Sequence, residues 1–245
     1  MAEAQISLEN GVGTITLDAP PNNMLSQPLR QSLFTALHEL LDNPDVQGVV
    51  LTGSGRVFSS GIDIREAEKG PEVSPKLSDI CLVIERSAKP ILVALRDMAL
   101  GAGLELALAA HGRIAAPGLR VGFPDLAFGL IPGAGGTQRL PRLIGVEGAL
   151  NVMMSGDPLP VALFKGSPLS QRIADADLLG AAIGVAEEAA AAVKEGKPLL
   201  RARDLPVREP DLEALCQFAR NTAKTAFKEY PAPLAIIEAL QVGAT

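Results

Sequence analysis

The order of hydrophobic and polar positions predicts that strands and helices alternate along the first part of the chain. Residues 4–18, "AQISLENGVGTITLD", alternate apolar and polar side chains on both sides of Asn10-Gly11. This pattern predicts a β-hairpin, because Asn-Gly supplies the positive φ angles that a tight turn needs. Leucines at helical spacing then predict a helix from Gln27 to Asp42. The β-branched segment "VQGVVLTG" that follows predicts a strand.

The alternation continues towards residue 177. We expect a helix at about Ser74–Ser87, a strand at "PILVAL", a helix of small residues from Gly101 and a strand at "GRIAA". Two more helices are predicted to begin at Thr137 and Val146. Strands that alternate with helices indicate an α/β fold with crossover connections.

From Leu178 the composition changes to helical patterns alone. An alanine-rich segment, "LLGAAIGVAEEAAAAVKEG", is followed by amphipathic patterns over 211–230 and 232–241, and no strand pattern occurs after about Ile173. We therefore predict an α/β core over residues 1–177 and an all-helical region over 178–245. The helical region is expected to pack on the core or on another subunit.

Composition and charge narrow the class of protein. The formal net charge of −6 argues against a nucleic-acid partner, whose binding surface is usually basic. Cys81 and Cys216 do not form a metal motif or a disulfide framework, so buried thiols in a reducing compartment are expected. The apolar run 91–110 is interrupted by charges, and the first residues do not resemble a signal peptide. These features predict a cytoplasmic protein without a membrane partner.

Several common mechanisms lack their sequence signatures. His38 and His111 do not have zinc-ligand spacing, so no metal site is predicted, and both are interpreted as surface or helix-dipole residues. The segment "FSSGID" does not match a nucleophile elbow, which makes a serine hydrolase a weak hypothesis. The glycine clusters lack the spacing of a phosphate loop or a dinucleotide fingerprint.

Two carboxylates in apolar surroundings are the candidate catalytic groups. Glu105 lies within "ALGAGLELALAAHG", one turn after Ala102, where a helix that begins with small residues leaves backbone N–H groups open to a ligand oxygen. Glu105 is therefore either an acid–base group or a capping-box residue that reaches back to the start of the helix. Asp125, in "VGFPDLAFG", is either a second acid–base group or a loop residue in an Asx turn or helix cap.

Four segments together resemble one protein family. They are "VFSSGIDI", "ALGAGLELALAAHGRIAA", "VGFPDLAFGLIPGAGGTQRLPRLIG" and "ALNVMMSGDPL", and their order and spacing resemble those of the crotonase (enoyl-CoA hydratase/isomerase) superfamily. The closest likeness is to the hydratase/isomerase half of multifunctional fatty-acid β-oxidation enzymes. The resemblance implies an α/β fold, with a crotonase-like ββα superhelix core and a C-terminal all-helical region.

The resemblance also implies roles for individual residues. The backbone N–H groups of Ile62 and Ala102 would form an oxyanion hole for a thioester carbonyl, and Glu105 and Asp125 would be the two catalytic carboxylates. The groove for the coenzyme A part of the substrate would be lined by Met24, Leu25, Ser60, Asp63 and Ile64.

The implied reaction is the addition of water to a 2-enoyl-CoA. Water held by Glu105 and Asp125 would add at C3 while C2 is protonated, and no metal or redox cofactor would be needed. Three alternatives to hydration remain open. They are isomerisation of a 3-enoyl-CoA, another acyl-CoA reaction, and catalytically weak acyl-CoA binding. The superfamily also implies a homotrimer or a hexamer.

Two positions depart from the family pattern. Ala102 stands where the family has glycine, which is tolerable where the backbone avoids positive φ. Asp125 stands where hydratases usually carry glutamate, and its shorter side chain reaches less far. Because Glu105 is retained, we predict a hydratase rather than a dedicated isomerase.

Overall fold

The computed structural model describes residues 2–69, 73–174, 176–207, 209–227 and 230–244. Its larger sheet has six strands, of which the first two are antiparallel and the later pairs are parallel. Positive φ angles at Asn10 and Gly11 close the predicted hairpin. In their order across the sheet, the six strands are β1 (Glu3–Glu9), β2 (Val12–Asp18), β3 (Gly48–Gly53), β4 (Ile91–Leu95), β6 (Gly112–Ala115) and β9 (Arg172–Ile173).

A smaller sheet of three short strands was not predicted from the sequence. It is formed by β5 (Met98–Leu100), β7 (Arg120–Gly122) and β8 (Leu159–Pro160), in the order β5-β7-β8. Strands of two or three residues are too short to show an alternating pattern. β5 nevertheless matters for the candidate site, because the helix that carries Glu105 begins two residues after it.

Seven α-helices surround the sheets in the described part of the chain. They are α1 (Gln27–Asp42), α2 (Leu77–Arg86), α3 (Ala102–Ala109), α4 (Gly136–Met154), α5 (Leu178–Lys194), α6 (Leu212–Ala226) and α7 (Pro231–Ala244). The leucine pattern predicted both ends of α1 correctly. Gly145 has φ 81° and ψ 165°, which interrupts α4 between the two helices that the sequence predicts there.

Helices cover both faces of the larger sheet. Side chains at alternate positions of β3 and β4 enter either the main core or a second cluster, as the two-residue period of a strand requires. The main core includes α1, α2, α3, α4, α6 and α7, while α5 packs on the other face through Leu178, Ala182 and Ala186. The α/β class predicted from the sequence is confirmed.

The C-terminal helices contact the core of their own chain. In addition to the packing of α5 on the sheet, the amide of Gln138 donates to the Ala239 carbonyl at 3.0 Å. The guanidinium of Arg142 donates to the Gly243 carbonyl at 3.1 Å. These contacts join α7 to α4. The division of the chain at residues 177 and 178 stays a prediction.

The interpretation of His111 as a surface or helix-dipole residue is wrong. His111 is 4% exposed, and its Nδ1 accepts a 3.0 Å hydrogen bond from the backbone N–H of Ile91. Burial and the nearby Arg201 charge lower its pKa to about 4. His38 is exposed, as expected, and both cysteines are free and buried.

Candidate active site

One cavity of about 180 Å³ brings together the four residues that the sequence singles out for chemistry. Ile62, Ala102, Glu105 and Asp125 all line it, although they come from three separate segments of the chain. The other lining residues come from the start of α2 and from the loop before α4, and they are Leu77, Ser78, Leu130, Ile131, Pro132, Gly133 and Ala134. The cavity therefore combines two backbone donors and two carboxylates within a mainly apolar wall.

The first donor lies at the beginning of α3. The chain leaves β5, passes through Gly101 with φ 50° and ψ −123°, and enters the helix at Ala102. The backbone N–H of Ala102 has no partner within the helix, because the first turn of a helix leaves its donors free. The positive φ falls on Gly101 and not on Ala102. Alanine at position 102 is therefore compatible with this backbone.

The second donor lies on the loop that runs beside the start of α3. The backbone N–H of Leu100 donates to the Ser59 carbonyl at 3.0 Å, which ties the loop to β5. A Cβ built on Gly61 would lie 3.5 Å from the Ala102 nitrogen, so the neighbouring Ile62 is close to the helix start. Among the described residues, neither the Ile62 nor the Ala102 N–H has an acceptor. This pair of N–H groups can receive a ligand oxygen.

The Glu105 side chain is buried and does not form a capping box. It is 4% exposed, and its Oε1 accepts hydrogen bonds from the backbone N–H groups of Ala134 (2.8 Å) and Gly136 (2.7 Å). Burial raises its pKa to about 7, although the two hydrogen bonds oppose this shift, and the Asp125 carboxylate adds to it. Oε2 accepts no hydrogen bond from the described residues. It is thus the Glu105 oxygen that remains for a ligand or a water.

Asp125 lies in the first turn of a 3-10 helix, Pro124–Phe128, and also lines the cavity. Its carboxylate packs against Gly101, where a Cβ would lie only 3.0 Å from Oδ1. Burial raises the pKa of Asp125 as well. The second candidate carboxylate is thus adjacent to the first candidate donor, and both carboxyl groups favour protonation more than an exposed acid does.

The five residues predicted to bind coenzyme A lie outside this cavity. Leu25 is 0% exposed and packs in the main core, so its side chain does not face a groove. Its backbone N–H instead donates to the Gly61 carbonyl at 2.8 Å and supports the Ile62 loop. Met24, Ser60 and Asp63 are partly exposed and Ile64 is exposed. Their role in binding stays a prediction.

Sequence reasoning missed the loop that holds Glu105. Ala134 and Gly136 belong to "PGAGG", a glycine cluster without the spacing of a nucleotide-binding loop. The two N–H donors are 29 and 31 residues from Glu105, so no local pattern connects them. A buried carboxylate needs donors, however, and this requirement was a signal that such a loop exists.

The described residues also limit the other kinds of site. In the part of the chain that the structure covers, no group of three or more His, Cys, Asp or Glu side chains could hold a metal ion. None of the described helices has the length and apolar character needed to cross a membrane.

Comparison with known proteins identifies the family. The enoyl-CoA hydratase/isomerase family model matches residues 7–227. The chain belongs to the enoyl-CoA hydratase/isomerase family. A glyoxysomal fatty acid beta-oxidation multifunctional protein MFP-a from Brassica napus is 36% identical over 247 residues, which cover 96% of this chain and 34% of that protein. A probable enoyl-CoA hydratase from Bacillus subtilis (strain 168) is 39% identical over 165 residues, 65% of this chain and 64% of that protein.

Solved structures agree with this assignment. The enoyl-CoA hydratase from Mycobacterium avium is 28% identical, covers 98% of both chains and superposes with a TM-score of 0.70. This similarity confirms the crotonase-like fold, and membership of the family is consistent with an enzyme. The chain spans about a third of the length of the multifunctional relatives that it matches.

Proposed function

We propose that this protein is an enoyl-CoA hydratase that adds water across the C2=C3 bond of a 2-enoyl-CoA. The observation that carries the proposal is the shared cavity, in which the Ile62 and Ala102 N–H groups lie with the Glu105 and Asp125 carboxyl groups. The two N–H groups stabilise the negative charge that develops on the thioester oxygen as the enolate forms.

Glu105 and Asp125 supply the proton transfers. Water forms its bond to C3 as it gives a proton to an ionised carboxylate, and C2 takes a proton from a protonated carboxyl group. The pKa of about 7 places Glu105 close to equal populations of its two forms at neutral pH. Oε1 is held by Ala134 and Gly136, so Oε2 is the oxygen that orients the water.

The hydratase is favoured over the isomerase because hydration uses two acid–base groups and the cavity holds two. Isomerisation of a 3-enoyl-CoA moves one proton between carbon atoms, which a single carboxylate can do. The resemblance in sequence further supports a role in fatty-acid β-oxidation. The acyl-CoA thioester carries its own coenzyme A, so the proposed reaction needs no additional cofactor.

Turnover of enoyl-CoA thioesters tests the proposal. We expect the wild type to hydrate a 2-enoyl-CoA and Glu105→Gln to lose about 10²–10⁴ of kcat, the range supplied by general acid–base groups. Wild-type kcat/KM should fall as the pH decreases through about 7, where the Glu105 carboxylate becomes protonated.

Three results would contradict the hydratase. They are acyl-CoA binding without hydration, conversion of 3-enoyl-CoA alone, and full activity of Glu105→Gln. The first would favour an acyl-CoA-binding subunit and the second would favour an isomerase. The expected homotrimer or hexamer and the cytoplasmic location stay predictions, and sedimentation analysis tests the former.

A further inference from the structure

A buried ion pair lies behind the loop that holds Glu105. Arg139 of α4 contacts Glu85 of α2 through two hydrogen bonds, Nε to Oε1 at 3.0 Å and Nη2 to Oε2 at 3.1 Å. The two side chains are 8% and 4% exposed. A buried ion pair is weak evidence for a stabilising role, because hydrophobic residues of similar volume often stabilise a core equally well. The position of this pair therefore needs another explanation.

The third nitrogen of the guanidinium contacts the loop itself. Arg139 Nη1 donates a 2.7 Å hydrogen bond to the Ala134 carbonyl. The backbone N–H of Ala134 in turn donates to Glu105 Oε1. The guanidinium also covers Gly135, where a Cβ would lie 3.1 Å from Cζ. Arg139 thus contacts the two residues that precede Gly136, the second donor to Glu105.

Helix α2 reaches the Glu105 main chain as well. The Cys81 thiol lies 3.7 Å from the Glu105 carbonyl oxygen, in hydrogen-bond geometry. Cys81 and Glu85 are four residues apart on α2 and therefore share one face of the helix. One face of α2 contacts the Glu105 backbone directly and its carboxylate through Arg139 and the 134–136 loop.

We propose that Glu85 and Arg139 are positioning residues for the hydration reaction, which fix the orientation and the charge state of the Glu105 carboxylate through the 134–136 loop. The proposal rests on the proposed function for its kinetic consequences. The effect of Glu85 and Arg139 on the Glu105 carboxylate is the structural part of the proposal, and it can be measured without turnover.

The charges around Glu105 predict shifts of opposite sign in two variants. The titratable and charged groups beside Glu105 are Cys81 on α2, Arg139 on α4 and Asp125 on the 3-10 helix, and Glu85 is paired with Arg139. Arg139→Gln removes a cation that favours the ionised carboxylate, so the pKa of Glu105 should rise. Glu85→Gln leaves the Arg139 charge without its counter-ion, so the pKa of Glu105 should fall.

Carbon-13 NMR of the full chain with labelled glutamate side chains measures this titration, and Glu105→Gln assigns the signal. We expect shifts of about half a unit or more, upwards in Arg139→Gln and downwards in Glu85→Gln. With 2-enoyl-CoA, kcat should fall about tenfold or more in both variants while KM changes much less, because the substrate is still bound but the water is misplaced.

Two further variants separate positioning from general stability. Ile237→Ala removes a fully buried side chain from α7 and should lower Tm without moving the Glu105 titration. Arg139→Lys keeps the positive charge but cannot form the guanidinium hydrogen bonds to both Glu85 and the Ala134 carbonyl. The Glu105 titration should therefore stay near that of the wild type while kcat falls. If Arg139→Gln does not fold, the downward shift expected in Glu85→Gln decides the effect on charge, and the fall in kcat of Arg139→Lys decides the effect on orientation.

Unchanged Glu105 titrations in Arg139→Gln and Glu85→Gln, or shifts in the same direction, would overturn the proposal even where Tm falls. If the wild type hydrates no 2-enoyl-CoA, the proposed function fails while the titrations still decide whether Glu85 and Arg139 control Glu105. The two failures are therefore distinguishable.

Discussion

The backbone N–H of Gly136 donates a 2.7 Å hydrogen bond to Oε1 of Glu105, across 31 residues of sequence. This contact joins the first turn of α4 to the first turn of α3. It favours the ionised carboxylate, whereas burial favours the protonated form, and burial has the larger effect on the pKa. The same residue is consequently important for the proposed chemistry and unfavourable for stability at neutral pH.

Glu105→Gln should increase stability at alkaline pH. The pKa of Glu105 is raised from 4.5 to about 7 in the folded chain, so the folded state binds an additional proton between these values. The stability that Glu105 contributes is complete below about pH 4.5 and is lost as the pH rises through 7. Near pH 8 the free energy of unfolding of Glu105→Gln should exceed that of the wild type by about 3 kcal/mol, since one pKa unit is about 1.4 kcal/mol. Chemical denaturation at pH 5 and pH 8 measures this difference.

The exposed Glu147→Gln provides the control, because it should show no such pH dependence. A constant difference between Glu105→Gln and the wild type over this range would contradict the raised pKa.

Asp125→Glu should preserve or increase hydration of 2-enoyl-CoA. Asp125 lines the cavity with its carboxylate packed against Gly101, and an additional methylene would give that carboxylate a longer reach. Asp125→Asn should lose about 10²–10⁴ of kcat because it cannot transfer a proton. Steady-state kinetics of the two variants measures both effects. A complete loss of activity in Asp125→Glu would show that the shorter side chain serves a different geometry.

Gly101→Ala should damage both stability and catalysis. The residue has φ 50° and ψ −123°, a conformation that costs of order 1–3 kcal/mol for other residues. Its new Cβ would also displace the Asp125 carboxylate, and a misplacement of about 1 Å can cost about a hundredfold in rate. Thermal unfolding and kcat measure the two effects. Gly118→Ala is the matched control, since Gly118 is exposed and a Cβ there meets no atom within 4 Å.

His111→Asn should reduce the loss of stability in acid. Burial lowers the pKa of His111 from 6.5 to about 4, so the unfolded chain binds the additional proton between these values. The stability that His111 contributes is complete above about pH 6.5 and is lost as the pH falls to 4. The loss in free energy of unfolding has a limit of about 3 kcal/mol. The asparagine Oδ1 can accept from the Ile91 N–H in place of Nδ1. Denaturation from pH 7 to pH 4 measures the slope.

His38→Asn, at an exposed position, serves as the comparison and should retain the wild-type slope. Equal slopes in all three proteins would show that His111 is not responsible for the loss of stability in acid.

Local patterns predicted the long elements of the fold, because the periodicity or the apolar run of each element reflects which of its side chains are buried. The leucines of α1 gave both of its ends, and Asn10-Gly11 placed the hairpin. β5 and β7 were not predicted because three residues do not define an alternation. His111 was misinterpreted because its end of α3 is covered by parts of the chain that are distant in sequence.

The candidate site was predictable in its residues but not in its geometry. Apolar surroundings indicated Glu105 and Asp125, and family resemblance gave Ile62 and Ala102 as the backbone donors. All four line one cavity. The hydrogen bonds that hold Glu105, and the Arg139 contact with Ala134, depend on the approach of α4 to α3. Such an approach is a property of tertiary packing, which a single sequence does not display.

The break at Gly145 divides α4 into two parts that contact different regions of the molecule. The first part carries Gly136 and Arg139 against the loop of the candidate site, whereas the second part, with Leu150 and Met154, borders a groove beside α6. A continuous helix would transmit a shift of one part to the other as a rigid rod. With the interruption, the groove wall can shift while the 134–136 loop keeps its place.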